Sequence, residues 1–487
     1  MKEGNKPHNS NQSGQVKEAE LFPLRPPPEW IKDKELVRWL IIRARTDAGN
    51  AERFIRLFKD LLRYCKSRKK WLTWDVNIWK IDEGGVADRA AIITARATYL
   101  AAASIQNKTV RGELEKWAIS SESKARRSAM LNTAMNLKPI ETVIDDYDRN
   151  QYLAAVKNGT LDLATGEFRE SRREDYISMK FNVEYDLLAT APRWETFLKE
   201  IFAGDEELIS WIQRAVGYSL TGDTSEQVMF MLYGGGANGK SVFLEIISYL
   251  IGDYSANTPF STFEASKRNE ASNDLAALKG KRLVTAIETN EDRRLDEARV
   301  KSVTGQDALT ARFLFQEFFT YRPSFKIWMA VNHKPLVKGT DRGIWRRIRL
   351  VPFTQNFEGQ KADRALTSKL KAELPGILNW ALEGLRQWRQ DGLGNAKAVE
   401  GASKEYQKES DLVQQWMDEC VTLDANEKTP CAHAYISFKE WAKNRGYPIF
   451  SSNSFARNMT EKGFERKSTG KQRLYVGLKL DEPPLMV

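Results

Sequence analysis

Cysteine and histidine are the scarcest chemically versatile residues in this sequence, three of each in 487. Cys65, Cys420 and Cys431 lie far apart with no C-x-x-C spacing. That speaks against a disulfide framework or a structural zinc site and fits a reducing compartment. His8, His333 and His433 are too scattered for a His-rich metal centre. No uninterrupted apolar run is long enough to span a bilayer, and nothing resembles a secretory signal, so no membrane partner is expected. What the chain has in plenty is length, positive charge and tryptophan. Its length allows two to four domains with a large core. A formal charge of +10 with 14 tryptophans points to a polyanion partner met by stacking surfaces.

The most informative stretch is Gly234-Gly235-Gly236-Ala237-Asn238-Gly239-Lys240-Ser241, which fits G-x-x-x-x-G-K-[ST] in full. Val228–Tyr233 reads as a buried strand entering it, and Val242, Phe243, Ile246, Ile247 and Leu250 recur at helical spacing behind it. Strand, glycine loop and helix aim backbone N–H groups and a positive helix end at one place, which suits a polyphosphate. Lys240 would lie along the β- and γ-phosphates of a nucleoside triphosphate, and Ser241 would ligate Mg²⁺. The nucleotide cradle is therefore expected to run from Gly234 to Val242.

Two later strands end in polar residues. Leu283–Ile287 delivers Glu288, where an α/β sheet places a carboxylate that orients Mg²⁺ and the attacking water. Phe325–Val331 delivers Asn332, an amide able to sense the γ-phosphate or hold the water. A charge or turn signal that merely follows a strand is the plainer alternative for each. Arg342, Arg346, Arg347 and Arg349 then cluster around Trp345 before a strand at Leu350–Phe353. Arginine forks suit phosphate, although a basic surface stripe is the alternative.

The flanks are less specific. Residues 1–20 are polar and aperiodic and are expected to form a disordered tail. From Phe54 to Leu62 an amphipathic helix precedes the basic run Lys66 to Lys70, then Trp71, Trp74 and Trp79 with a hairpin turn at Asp75-Val76-Asn77. That basic run is either a nucleic-acid surface or a solvated end beside a small core. Asn158–Gly166 reads as two short strands punctuated by glycines. Asp145–Asp148 has a spacing a polymerase metal site could use, but no companion histidine motif, so a turn-forming acidic loop is the better reading and no primase is expected. After a loop-like stretch at Gly392–Gly401, a helix is expected over Ser403–Cys420. A basic helix with Arg457 and a hairpin near Gly470 follow.

The order GGGANGKS, AIETNE, TGQDALTARFLFQEFFTYRP, WMAVNHKP and DRGIWRRIRLVPF closely resembles superfamily 3 helicases, and more narrowly the phage, plasmid and poxvirus helicase–primase group. WLTWDVNIW and VKNGTLDLATGEF resemble the segment ahead of the helicase in that group. The resemblance implies an α/β fold: an AAA+ type P-loop helicase core (residues 186–395), an α+β N-terminal domain (21–185) and a C-terminal winged-helix domain (396–487). It implies Lys240 and Ser241 as Walker A residues, Glu288 as the Walker B acid, Asn332 as sensor 1 and Arg347 as an arginine finger acting across a homohexameric ring. Leu309–Tyr321 would be a hairpin gripping DNA through Arg312, Phe315 or Gln316. In the winged helix, Arg457, Lys462, Arg466, Lys467, Lys471 and Arg473 would face phosphates. Walker B departs from relatives with adjacent acids, since Thr289 and Asn290 separate Glu288 from Glu291.

The expectation is thus an ATP- and Mg²⁺-dependent DNA helicase for replication of a phage, prophage or plasmid-like element, cytoplasmic in a bacterial or equivalent host. It would act on single-stranded and forked DNA, with a primase or host replication proteins as separate chains. An ATP-dependent initiator that assembles on an origin without processive unwinding is the alternative. A P-loop kinase is disfavoured, because nothing suggests an acceptor pocket and lid.

Overall fold

The computed structural model describes residues 24–265, 273–288, 293–313, 317–337, 342–359, 363–468, 470 and 472–481. The expected tail at 1–20 lies outside the described residues, as do Glu291, Phe315, Gln316 and Lys471. The chain divides between Tyr185 and Asp186 into two compact units. Among the described residues no helix is long and apolar enough to cross a membrane.

In the N-terminal unit, four strands run in the spatial order Ile78–Ile81, Lys70–Asp75, Leu62–Cys65 and Glu141–Thr142. They pack with helices Asp47–Phe58, Val86–Ala102 and Lys124–Ala134 around Phe54, Phe58, Trp79, Ile93 and Met130. The Val86–Ala102 helix is alanine-rich and buried along most of its length, and small side chains let its neighbours approach closely. The turn expected at Asp75–Asn77 is present, with Val76 at φ 53°. Around Asn158 the pairing strands are Leu153–Val156 and Gly159–Asp162, with Phe168–Arg169 as a third. The acidic run is spent on turns. Asp146 accepts the Val143 N–H at 2.8 Å and pairs with Arg149, and Asp148 accepts the Ser178 N–H at 2.9 Å.

The second unit is built on a parallel sheet. Its strands are β1 Met229–Tyr233, β2 Ser255–Asn257, β3 Leu283–Glu288, β6 Lys326–Val331 and β7 Ile348–Pro352, with a separate hairpin of β4 Leu309–Ala311 and β5 Phe319–Tyr321. The sheet order is β7-β1-β6-β3-β2 with every pair parallel. Such strands are covered on both faces and read as continuous apolar runs, which is why they were visible in the sequence. On one face Trp194, Phe243, Trp328 and Phe230 form a column of ring contacts, Trp194 stacking on Phe243 at 5.7 Å and Trp328 on Phe230 at 4.3 Å. The opposite face holds Met231, Phe263, Val300, Met329 and Ile344.

Tryptophan therefore serves the core. Trp79, Trp194, Trp211, Trp328 and Trp416 are among the largest fully buried side chains, so the stacking surfaces expected from tryptophan content are not what these residues provide. Two buried cations break the apolar pattern at the sheet's other end. Lys326 Nζ donates to the carbonyls of Thr221 and Asp223, and Arg282 donates to Leu220 O at 2.8 Å. Together they satisfy the carbonyls that end helix Glu206–Ser219. Burial holds the Lys326 ammonium well below its usual pKa.

The tail of the unit corrects two expectations. Gly401 lies inside a helix, Lys397–Ser410, because the surrounding alanines, lysines and glutamates favour one and a single glycine does not stop it. The helix expected over Ser403–Cys420 is interrupted at Asp411, whose carboxylate caps a new helix, Leu412–Cys420, by accepting from Gln414 N at 3.0 Å. Helix Lys397–Ser410 packs on the parallel sheet: Ser403 Oγ accepts from Leu350 N at 3.0 Å and the Tyr406 ring meets Trp345 at 5.1 Å. Asp411 is where the chain leaves this packing. Beyond it lie strand Val421–Pro430, helices Cys431–Asn444 and Ser452–Glu461, and strands Arg466–Ser468 and Arg473–Leu480. The strands form an antiparallel sheet, and Trp416, Phe438, Phe455 and Tyr475 fill the core.

Helices Glu206–Ser219 and Leu374–Asp391 cross through glycine. A Cβ at Gly217 would stand 2.1 Å from Leu385 N, and one at Gly384 2.0 Å from Gln213 O. No rotamer relieves a backbone clash, so Gly217→Ala or Gly384→Ala should destabilise by about 2–3 kcal/mol, outweighing alanine's helix advantage of about 1 kcal/mol. Gly401→Ala, with nothing within 4 Å, should stabilise by about 0.5–1 kcal/mol. Urea midpoints check both, and a Gly217→Ala protein as stable as the parent would refute the close crossing.

Candidate functional site

The parallel strands end level with one another. Glu288 pairs with Val331 and Val331 with Tyr233, while Tyr233 pairs on its other side with Pro352, so four strand ends form one row. With neighbouring strands about 4.8 Å apart, the Glu288 backbone lies about 10 Å from that of Tyr233, with β6 between them. The glycine loop leaves this row directly after Tyr233, and Gly234 N donates back to Val331 O at 3.4 Å. Helix α1, Lys240–Ile251, begins where the loop ends.

The loop glycines do two different things. A Cβ at Gly234 would sit 2.2 Å from Phe353 O, and Gly239, at φ 89°, would put one 2.6 Å from Ile201 Cγ2, so the fold itself demands both. Nothing lies within 4 Å of a Cβ at Gly235 or Gly236. Their bareness leaves an open face over the loop. Asn238 is buried, its Nδ2 donating to Phe353 O at 3.4 Å, and Ala237 O accepts from Phe357 N at 2.7 Å, so the segment after β7 braces the loop.

Lys240 is 5% exposed and its ammonium turns back onto the loop, donating to Gly234 O at 2.6 Å, Gly235 O at 2.8 Å and Asn238 Oδ1 at 3.1 Å. Among the described residues no carboxylate pairs with it, and burial lowers its pKa to about 8. Ser241 is exposed at the first turn of α1, and Asn332 is exposed immediately beyond β6. Glu288 is 4% exposed. Its charge reaches Arg293, which also grips Glu264 through both carboxylate oxygens at 2.9 and 2.7 Å. Glu264 and Arg293 were not singled out in the sequence. They come from loops 29 residues apart, with no motif joining them.

Arg347 lies in the turn after helix Arg342–Trp345. It is 9% exposed, with Nε donating to Thr304 Oγ1 at 3.2 Å and Nη1 to Gly343 O at 2.5 Å. Reaching a neighbouring subunit would mean breaking those bonds. Arg346 is exposed and bonds Gln227 Oε1 at 3.1 Å, and Arg342 is exposed too.

The hairpin β4–β5 forms in register from Leu309↔Tyr321 to Ala311↔Phe319, anchored by Tyr321 Oη donating to Leu275 O. Arg312 is exposed with its guanidinium 4.7 Å from the Phe318 ring centre, and Phe313 stacks on Phe319 at 5.8 Å. In the C-terminal module Arg457, Arg466, Lys467 and Arg473 are all exposed. Lys462 is not available as expected: it pairs with Asp411 at 2.6 Å and donates to Gln414 Oε1 at 3.0 Å.

With this geometry in hand, comparison with known proteins is informative. Residues 51–203 match the family described as D5 N terminal like, and residues 232–347 match a family of unknown function, DUF5906, whose span runs from the end of β1 to Arg347. The chain is 31% identical over 322 residues to "Putative helicase L207/L206" of Acanthamoeba polyphaga mimivirus, covering 61% of this chain and 33% of that protein. It is 27% identical over 342 residues to "Putative helicase 121R" of Invertebrate iridescent virus 3, covering 62% of this chain and 36% of that one. The aligned stretches thus span about a third of these relatives' length. The apo structure of the NrS-1 C-terminal region is similar in fold at 10% identity and a TM-score of 0.50, over 87% of this chain and 98% of that one. The resemblance to superfamily 3 helicases and helicase–primases carried by the motifs is thereby borne out, and both relatives are named as helicases.

A triphosphate that takes over the Lys240 ammonium will hold its proton more tightly than the loop carbonyls do. Below pH 8 the group is protonated in both states and adds no pH dependence. Above about 8 the free protein loses the proton first, so binding must take one up. Affinity for a triphosphate should therefore fall by up to tenfold per pH unit above about 8. Calorimetry at pH 7, 8.5 and 9.5 measures this, and equal affinities across the series would count against contact between Lys240 and phosphate.

Proposed function

We propose that this chain is the motor portion of an ATP-dependent DNA helicase of the superfamily 3, AAA+ type, acting in replication of a virus-like or mobile element. The observation that carries the reading is the edge of the parallel sheet. A glycine loop with an open face, a lysine paired to no acid, and Glu288 and Asn332 at strand ends of the same row form the arrangement that phosphoryl transfer to water requires.

In this reading the loop from Gly234 to Val242 binds the phosphates, and Lys240 exchanges its carbonyl partners for the β- and γ-phosphates. Glu288 orients the attacking water, and Asn332, one residue beyond the same row, contacts the water or the γ-phosphate. Mg²⁺, when bound with ATP, neutralises charge that develops during transfer. Ser241 and Glu288 would hold it. One hydroxyl and one carboxylate suit an ion that takes most of its ligands from phosphate and water. The β4–β5 hairpin and the basic face of Arg457, Arg466, Lys467 and Arg473, on a winged-helix module, contact DNA. Subunits assemble as a hexameric ring, and the arginine that crosses between them is Arg346, since Arg347 is committed to Thr304 and Gly343 of its own subunit.

Lys240→Ala should abolish DNA-stimulated ATP hydrolysis. Glu288→Gln should bind ATP normally but turn over at least a hundredfold more slowly. Strand displacement on a forked duplex separates a helicase from an initiator, and hydrolysis without displacement would favour the initiator.

For the finger, Arg346→Ala should lose a factor of roughly 10³–10⁵ in turnover and regain activity when mixed with Lys240→Ala subunits. Arg347→Ala should lower the unfolding midpoint instead. Rescue of Arg347→Ala but not of Arg346→Ala in rings of verified mixed composition would return the role to Arg347.

A further inference from the structure

The basic run beside the N-terminal tryptophans is not absorbed by this scheme. Strands Leu62–Cys65 and Lys70–Asp75 pair from Leu62↔Thr73 to Cys65↔Lys70, so Lys66, Ser67, Arg68 and Lys69 form a tight turn, closed by Lys69 N donating to Lys66 O at 3.2 Å. Lys69 holds the left-handed conformation at φ 52°. The turn is braced at its base. Lys66 pairs with Glu141 at 2.5 Å, Ser67 Oγ accepts from Ile144 N at 3.2 Å, and Lys138 Nζ donates to Glu141 O at 2.9 Å. The Glu141 carboxylate is thus already paired with Lys66. Every residue from Lys66 to Lys70 is exposed, and among the described residues no carboxylate pairs with Arg68, Lys69 or Lys70. The adjoining tryptophan is turned away: Trp71 packs on Phe54 at 5.7 Å and on Tyr64 at 5.3 Å.

We propose that this hairpin tip is a further DNA-binding site, in which Arg68, Lys69 and Lys70 hold the phosphate backbone without reading bases. Three adjacent cations on a braced turn suit a polymer carrying one charge per repeat. Trp71 is half-buried against Phe54 and Tyr64, and no residue from Lys66 to Lys70 offers a ring on which a base could stack. It also carries no apolar side chain from Lys66 to Lys70 that could enter a bilayer, which disfavours a membrane surface. The proposal rests on the DNA reading above only for its choice of polyanion, and it needs neither hydrolysis nor ring assembly.

The test uses the full chain without nucleotide and a random-sequence 30-base-pair duplex, with affinity measured across a salt series. Arg68→Ala/Lys69→Ala/Lys70→Ala should weaken binding about tenfold and make the slope of log affinity against log salt shallower by about two to three. Its unfolding midpoint should not move, because the three side chains are exposed. Lys32→Ala/Lys34→Ala/Arg38→Ala removes as many exposed charges from helix Lys34–Ile42 and its approach, and should change the slope by less than one.

Equal losses in the two variants would reduce the effect to net charge and overturn the proposal. So would an unchanged slope in the tip variant, or a variant that keeps DNA affinity but loses binding to phosphatidylserine vesicles. Loss of hydrolysis in Lys240→Ala leaves this measurement untouched, so the tip and the motor reading can fail separately.

Discussion

The chemistry of this chain depends on one constraint, the level ending of its parallel strands. Pro352, Tyr233, Val331 and Glu288 stand in a single row because each pair is in register without a bulge. A register slip of one residue in β3 would carry Glu288 to the other sheet face and about 3.3 Å along the strand, away from the loop. Register is held by burial on both faces: the Trp194–Phe243–Trp328–Phe230 column on one, Met231, Met329 and Phe263 on the other. The aromatic side chains act on the site without touching it, by making any other alignment expose apolar surface.

The loop shows how packing and ligand space divide one motif. Gly234 and Gly239 are required by contacts with Phe353 and Ile201, whereas a Cβ at Gly235 or Gly236 would meet nothing within 4 Å. The ammonium of Lys240 is solvated by carbonyls of its own loop. Desolvation without a counter-anion costs free energy, which appears as the lowered pKa.

Strand ends were legible in the sequence because buried parallel strands are unbroken apolar runs, and a polar residue closing such a run marks the sheet edge. Glu288 and Asn332 were found in that way, and the glycine loop from its own pattern. Burial of individual charged groups was not legible. Arg346 and Arg347 are neighbours of equal chemistry, yet the turn after helix Arg342–Trp345 sends one to solvent and the other to Thr304. Lys462 looked like its basic neighbours until the fold set it against Asp411. Glu264 and Arg293 have no local pattern at all, and tryptophan count could not distinguish a core from a stacking surface. The interruption at Asp411 was available in principle, since an aspartate three residues before a backbone N–H partner is a helix-start signal.

Asp411 also explains why the C-terminal module is positioned where it is. Its carboxylate caps helix Leu412–Cys420 and takes the Lys462 ammonium, so the start of that helix and the end of Ser452–Glu461 are tied to one side chain. Two residues earlier Glu409 pairs with Lys334 at 2.6 Å, and the Lys334 ammonium lies 4.9 Å from the ring centre of Tyr233, the residue that opens the glycine loop. Lys334 itself follows Asn332 by two positions. The loop beyond β6, the entrance to the glycine loop and the root of the basic module therefore meet within a few consecutive ion pairs. Lys462 and Asp411 are both mostly sheltered from water, so their pair is screened less than an exposed one, whereas Glu409 is half exposed. The row of strand ends and the root of the basic face are thus tied through one short run of ion pairs.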